Sequence, residues 1–501
     1  MTISELVAGD PMPEGMTPQL GQIPVRGLDY DSRRVAAGYL FFAFPGAHAD
    51  GREFALKAME NGAIAVVSEL PAPAGFDEPW IQVPHGRRAL AMAAKRFYGN
   101  LDEKLVLTAI TGTNGKTTTC WLIDTILRTA GRTTMLAGTI EYHVAGEVVP
   151  AVNTTPESLD LHRLFAKLDA RGGTHANMEI SSHALALGRS WGLHFHTAVF
   201  TNLTRDHLDF HHSMEEYFAA KQILFAGAGA PPPKFSVVNR DDEWGRKLGD
   251  AIAGSEVTWY GLGNDAKVRA RSINSSLAGL RFEVSSGTER FPVQSPMIGR
   301  INVYNILAAC AAAMSLGIDS ETIVRGIAAC NGVPGRFERV DEGQPFAVIV
   351  DYSHTDDALR NAIMAARSLE PKRVITVFGC GGDRDRTKRP IMGQVASELS
   401  DMVIVTSDNP RSEDPLQIVN DIMVGVRRAD ARTVVEVDRA AAIHKAIKEA
   451  VAGDVVLVAG KGHETYQIFR DRTIHFDDRE VAREALRSFG YKPKNPLGTA
   501  A

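Results

Sequence analysis

Short apolar runs alternate along most of the chain with turn residues and with stretches of helical spacing. From Gly27 to Val67 the runs YLFFAF and AIAVV flank a helical stretch, Glu53 to Asn61, which predicts a small α/β unit. A second part begins near Lys104. There KLVLTAITG predicts a buried strand, a glycine loop follows, and apolar positions from Thr117 to Thr129 recur at helical spacing. Further strands are predicted at HANMEISS, TAVFTNL and FSVVNRDD. After the turn Val333-Pro334-Gly335 come FAVIVDYSH, RVITVFGCGGDRD, DMVIVTSDNPR, TVVEVD and DVVLVAGKGHE, separated by helical segments. That alternation predicts a parallel, doubly wound sheet. Four of these five runs end in clusters of Gly, His, Asp, Asn, Arg or Glu. Open α/β sheets bind ligands beyond the carboxyl ends of their strands, so one shared site is expected.

Length and composition refine this picture. At 501 residues the chain exceeds one core, and roughly 100 to 200 residues per domain suggests about three. The 44% hydrophobic and 23% charged residues are ordinary for a soluble globular protein. With 55 Lys plus Arg against 60 Asp plus Glu, the net charge of -5 offers no global attraction to nucleic acid or anionic membrane. An anionic ligand must therefore be held by local positive charge. Cys120, Cys310, Cys330 and Cys380 are widely spaced, without a CxxC pair, which fits a reduced, cytoplasmic setting. The start of the chain lacks a signal-peptide pattern, and no apolar run is long enough to span a bilayer.

The strongest chemical signal is the loop Gly112-Thr113-Asn114-Gly115-Lys116-Thr117-Thr118 between strand and helix. Its glycines let backbone approach phosphate oxygens, the helix start presents N–H groups, Lys116 brings a cation, and Thr117 can ligate Mg2+. The GxxGKT spacing is two residues shorter than the common phosphate loop. Glu179, at a strand end, can reach an ion beside Thr117 or form an ordinary ion pair. His207, His211 and His212 raise a zinc alternative, although no cysteine joins them.

In the last part, Arg384, Arg386, Lys388 and Arg389 follow the glycines of FGCGGDRDRTKRP. Anion capture, a solvated helix start and a dinucleotide-binding turn all remain open for this run. Asp408-Asn409-Pro410-Arg411 sets a carboxylate, an amide and a guanidinium at one strand end, which suits a zwitterionic amino acid, or else forms an Asn-Pro turn. Gly460-Lys461-Gly462-His463-Glu464 ends the last strong strand, and Glu464 can hold a second ammonium group.

Taken together, DSRRVAAGYLFFAFPGAHADG, TGTNGKTTT, NTTPES, MEISSHAL, NLTRDHLDFH, AAKQILF, NVYN, PGRFE, DYSHT, GCGGDRD, DNPRSEDP and GKGHE resemble the Mur ligases from about Tyr30 to Glu464. The resemblance implies an α/β chain of three domains: a UDP-binding domain (1–103), a central P-loop ATPase on a mostly parallel sheet (104–334), and a C-terminal Rossmann-like doubly wound domain for the amino acid (335–501). It implies that Ser32, His48 and Ala49 contact the UDP moiety, and that Asn153, Thr154, Thr155, Ser181 and Arg189 hold the muramoyl dipeptide. Asn305, Arg336 and Asp351 are expected around ATP. Glu179 and His207 are expected to serve magnesium, and Lys221 resembles the lysine that the family carbamylates to N6-carboxylysine.

The DNPR sequence resembles members that add meso-2,6-diaminopimelate to UDP-MurNAc-L-Ala-D-Glu. Arg411 and Arg384 would then read the distal carboxylate, while Asp408, Asn409, Pro410, Gly460 and Glu464 complete that pocket. Lys116, Glu179, His207 and Lys221 form the expected catalytic set. The implied enzyme is a cytoplasmic ATP-dependent ligase, a monomer without nucleic-acid or membrane partners. Addition of L-lysine, or a folylpolyglutamate-synthetase-like ligation, is the alternative. Two departures stand out: DYSHTDD replaces DYAHTPD, and Leu187 stands where a glutamine is usual.

Overall fold

The computed structural model describes residues 1–8, 13–46, 49–426 and 432–493. Among the described residues, the strands build three large sheets and one separate hairpin. The first sheet pairs Gly27–Asp29, Tyr39–Ala43, Ala63–Ser68 and Trp80–Gln82, all in parallel. Side chains alternate across it as a two-residue period requires. Leu40, Phe42, Ala65 and Val67 pack toward Leu90, whereas Phe41, Ala43 and Val66 pack toward Ala55 and Ala58. The expected helix at 53–61 is split into a 3-10 turn, Gly51–Phe54, and a short helix, Ala55–Glu60.

The second sheet has eleven strands. Its parallel centre runs Glu256–Gly261, Phe235–Asn239, Thr197–Phe200, Val106–Thr111, His175–Glu179 and Thr134–Ala137. Leu107 and Ala109 enter one core with the helices Ser158–Ala170 and Met214–Ala226, while Ile110 enters the other with Lys116–Thr129 and Ile301–Ser315. Both edges are antiparallel. The edge strands Val268–Ser276, Gly279–Ser286 and Glu289–Ser295 escape the sequence pattern because only one face is apolar: Val268, Ala270, Phe282, Val284 and Val293 alternate with polar residues.

The third sheet confirms the doubly wound expectation. Ala347–Asp351, Val455–Ala459, Val374–Phe378, Met402–Val405 and Arg432–Val435 pair in parallel in that spatial order. Ala347 and Ile349 face the helices Asp356–Arg367, Lys388–Leu399 and Pro415–Met423, and Val348 and Val350 face Arg439–Glu449 and Asp478–Ser488. An antiparallel edge strand, Glu338–Val340, was not expected. Among the described residues, no helix is long and apolar enough to cross a membrane.

Candidate active site

Three neighbouring parallel strands, Thr197–Phe200, Val106–Thr111 and His175–Glu179, end at one point, and the phosphate loop leaves from the middle one. Its glycines are structural necessities. Gly112 has φ 143° and a Cβ there would lie 1.9 Å from Thr201 Oγ1; Gly115 has φ 86°, with Asn305 Oδ1 only 2.5 Å from its Cβ position. No side chain caps the following helix, so its first N–H groups remain available to an anion. Lys116 Nζ donates to the carbonyls of Gly112 (3.0 Å) and Thr113 (2.8 Å), curling over the loop. Burial holds its pKa below the ordinary lysine value.

Glu179 is fully buried. It accepts from Thr117 Oγ1 (3.0 Å), from the Thr139 amide (2.9 Å) and from Thr139 Oγ1 (3.1 Å). Among the described residues its donors are all neutral, and a buried carboxylate is costly without a cation. Hydroxyl and carboxylate oxygens are the donors that a hard ion such as magnesium takes.

The muramoyl candidates gather beside this carboxylate. Thr155 Oγ1 donates to the Glu179 carbonyl (2.8 Å) and accepts from the Ser181 amide (3.0 Å), and Thr154 Oγ1 lies 3.2 Å from Thr139 Oγ1. Asn153 is held by Tyr142. Arg189 donates to the Thr155 carbonyl (3.2 Å) and pairs with Glu157 (2.9 Å). Glu157 also meets Arg87 at 3.5 Å, whose guanidinium reaches the Pro45 carbonyl at 2.9 Å and so ties Pro45 to this corner. The Ala49 carbonyl accepts from Gly46 N at 2.9 Å, while His48 lies outside the described residues. Ser32 is not part of this group; its carbonyl accepts from Asn61 at 2.8 Å.

Lys221 is almost wholly buried under the loop, with Nζ 2.9 Å from the Gly112 carbonyl and 4.6 Å from the centre of the Tyr217 ring. Burial, and then the positive charge of Lys116, hold its pKa well below the ordinary value. His207 sits at φ 53° with its ring 4.8 Å from that of His183. Burial keeps it below its usual pKa, as a neutral imidazole must be to serve as a ligand. The zinc alternative fails: His211 bonds Ser182 Oγ at 2.9 Å, and the three histidines form no ligand-like cluster among the described residues.

The C-terminal sheet closes this cleft. Arg336, stacked 4.5 Å over Tyr352, lines it with Asn305 and Asp351. Asp351 accepts from the Phe337 amide (2.7 Å) and the Ser353 amide (3.0 Å), and burial raises its pKa.

A second cleft adjoins the first, lined by Arg384, Asp408, Asn409, Arg411, Gly460 and Glu464 from the C-terminal sheet and by Asp206 and His207 from the central one. Pro410 is not in its lining; its carbonyl packs against Gly382, 1.9 Å from the position a Cβ would take there. Arg411 Nη1 donates to the Gly382 carbonyl at 2.8 Å. The four-residue basic run separates in the structure. Arg389 is fully buried against Glu413 (2.7 Å) and Asp421 (2.9 Å), Arg386 also pairs with Asp421 (3.0 Å), and Lys388 donates to the His354 carbonyl (2.8 Å). Anion capture by the whole run is thereby excluded; of the four, Arg384 and Lys388 line the cleft.

Two supports escape sequence reading. Lys461, fully buried, donates to Glu464 (3.0 Å) and Asn409 (3.2 Å) and fixes both side chains. Arg439, paired with Asp478 at 2.7 Å with both side chains fully buried, donates to the carbonyls of Ser407 and Ala459, just before Asp408 and Gly460. Lys461 stood in a marked motif; Arg439 carried no local signal.

A phosphate loop and a second polar cleft sharing one boundary, on a three-domain α/β frame, define an ATP-dependent ligase. Residues 24–98 match the description "Mur ligase family, catalytic domain", 110–313 "Mur ligase middle domain", and 335–462 "Mur ligase, glutamate ligase domain". The chain belongs to the Mur ligase family. It is 62% identical over 491 residues, covering 98% of this chain and 99% of the relative, to the UDP-N-acetylmuramoyl-L-alanyl-D-glutamate--2,6-diaminopimelate ligase of Solibacter usitatus (strain Ellin6076). The protein of the same name from Geobacillus thermodenitrificans (strain NG80-2) is 46% identical over 93% of this chain and 96% of its own length. A solved structure of a ligase with that name superposes with a TM-score of 0.70 at 34% identity, covering 98% of this chain and all of the other.

Proposed function

We propose that this Mur ligase joins meso-2,6-diaminopimelate to the side-chain carboxylate of the D-glutamate in UDP-MurNAc-L-Ala-D-Glu, converting ATP to ADP and phosphate. The observation that carries the reading is the second cleft, where two guanidinium groups, Arg384 and Arg411, share a lining with the carboxylates of Asp408 and Glu464. That set complements an amino acid with a carboxylate and an ammonium at each end. The names of the relatives at 62% and 46% identity support the same reaction.

A carboxylate is a poor electrophile, so ATP first phosphorylates it and the amine then displaces phosphate from the acyl phosphate. The 112–118 loop and Lys116 would hold the ATP phosphates, with Asn305, Arg336 and Asp351 around the nucleotide. Thr117 and Glu179 would hold magnesium, with His207 toward a second ion; bound there, the metal neutralises charge on the phosphate oxygens. Lys221, whose amine burial holds well below its ordinary pKa, would take up CO2 and become an anionic carbamate. Asn153, Thr154, Thr155, Ser181 and Arg189 would orient the dipeptide, and Ser32 with the 48–49 loop the UDP end. The protein's part is chiefly positioning and electrostatics, with no covalent intermediate on the chain.

The reading assigns 1–103 to the UDP end, 104–334 to ATP and 335–501 to the amino acid, in a monomer acting in the cytoplasm. Incubation with ATP, Mg2+ and UDP-MurNAc-L-Ala-D-Glu, comparing meso-diaminopimelate with L-lysine, tests it. Product formation with meso-diaminopimelate is expected, and preference for lysine overturns the reading.

A further inference from the structure

The two clefts share five lining residues: Asp206, His207, Tyr352, His354 and Thr355. If the proposed ligation holds, the amine must pass this seam to reach the acyl phosphate, and it arrives as an ammonium without a lone pair. A proton acceptor is needed there. Asp206 lies 3.5 Å from His207, and a carboxylate is by nature a weaker base than an imidazole. His207 faces the ion side of the site in the reading above. The Tyr352 phenol is pushed up to about 12 by burial and stays protonated, and Thr355 Oγ1 accepts from the Ala358 amide as a helix cap.

His354 is different. Its Nδ1 lies 3.0 Å from the Tyr352 carbonyl, and a carbonyl can only accept, so Nδ1 carries the hydrogen and Nε2 keeps its lone pair. Nε2 has no hydrogen-bond partner among the described residues. The ring is fixed against the Tyr352 ring at 4.6 Å, and Lys388 Nζ donates to the His354 carbonyl at 2.8 Å. The charged and titratable groups facing it are Lys388, Arg336 and His463, with Asp206 opposite. Burial first, and then Lys388, keep the imidazole below its ordinary pKa and therefore neutral.

We propose that His354 Nε2 accepts the proton of the incoming ammonium group. The freed nitrogen lone pair forms the C–N bond, the C–O bond to phosphate breaks with its electrons leaving on phosphate, that phosphate oxygen takes the second surplus proton from the new amide nitrogen, and the imidazolium later releases its proton to solvent. Atoms and charge balance without a further reactant. His354 thereby serves the amine step and not the phosphoryl step.

Hydroxylamine separates these steps, because it is already unprotonated at neutral pH and needs no base to attack an acyl phosphate. His354→Asn keeps a donor for the Tyr352 carbonyl and removes Nε2; His354→Gln is made in parallel in case one variant does not fold. Amino-acid-dependent ADP release should fall about 100-fold or more. Acyl hydroxamate formation should fall at least about tenfold less, and added imidazole should restore part of the amino-acid reaction. Equal loss in both assays, or no loss in either, overturns the assignment. Comparing meso-diaminopimelate with L-lysine on the unmodified enzyme tests the ligation reading separately, and whichever amino acid is turned over serves as the nucleophile for the variants.

Discussion

Arg411→Ala should collapse the preference for meso-diaminopimelate over L-lysine. In the structure one guanidinium nitrogen is committed to the Gly382 carbonyl at 2.8 Å, which orients the group and leaves its other N–H donors for a carboxylate. The distal carboxylate of diaminopimelate is the one group that lysine lacks, and a bidentate contact supplies about two charge-assisted hydrogen bonds worth roughly 1.5 to 3 kcal/mol each. Arg411 is only half-buried, so water replaces part of that loss and the lower end applies. A loss of about 3 kcal/mol lowers kcat/KM for diaminopimelate about 100-fold. For lysine, kcat/KM should change little, since no carboxylate meets Arg411. Arg411 has φ 54°, and alanine meets the same left-handed backbone cost, so the substitution does not confound folding with recognition. Steady-state ADP release with each amino acid measures both values. An equal loss for the two substrates would refute the reasoning, because it would mean that Arg411 supports the pocket without reading the distal carboxylate.

Arg439→Met should destabilise the C-terminal sheet by about 3 to 5 kcal/mol by stranding the buried Asp478 carboxylate, and adding Asp478→Leu should recover much of it; hydrogen exchange of Val455–Ala459 resolves this. Gly112→Ala should abolish ATP binding in calorimetry, because its Cβ would fall 1.9 Å from Thr201 Oγ1; retained affinity would contradict that placement. Burial lowers His162 to about 4 from 6.5, so between these values the unfolded chain binds more protons and stability rises with pH. Moving from pH 7 to pH 5 should cost about 1 to 2 kcal/mol at this residue, and His162→Phe, which fits beside Phe165, should reduce the fall in unfolding temperature between these pH values.

The legible parts of this molecule are those whose physics is local. The glycine loop at 112–115 is forced by positive φ and close backbone approach, and only glycine satisfies both, so it is visible in the text. Four of the five parallel strands of the third sheet are buried on both faces and read as continuous apolar runs. The edge strands at 268–295 are apolar on one face only, and their polar alternation blends into loop composition. The Arg386 and Arg389 charges likewise read as an anion site until Glu413 and Asp421 claim them.

By itself, the sequence determined the phosphate loop, the five parallel strands of the C-terminal part with the helical segments between them, and the residue types gathered at the strand ends. Tertiary structure alone decided which charges are spent on one another and which face a ligand. Lys461 holds Asn409 across 52 residues, Arg439 holds Asp478 across 39, and the seam that exposes His354 forms only where the central and C-terminal sheets meet. Periodicity and turn chemistry act over a few residues and leave a mark in the text. Pairing of buried charges depends on which distant segments share a dry interior, and that is fixed only when the sheets pack.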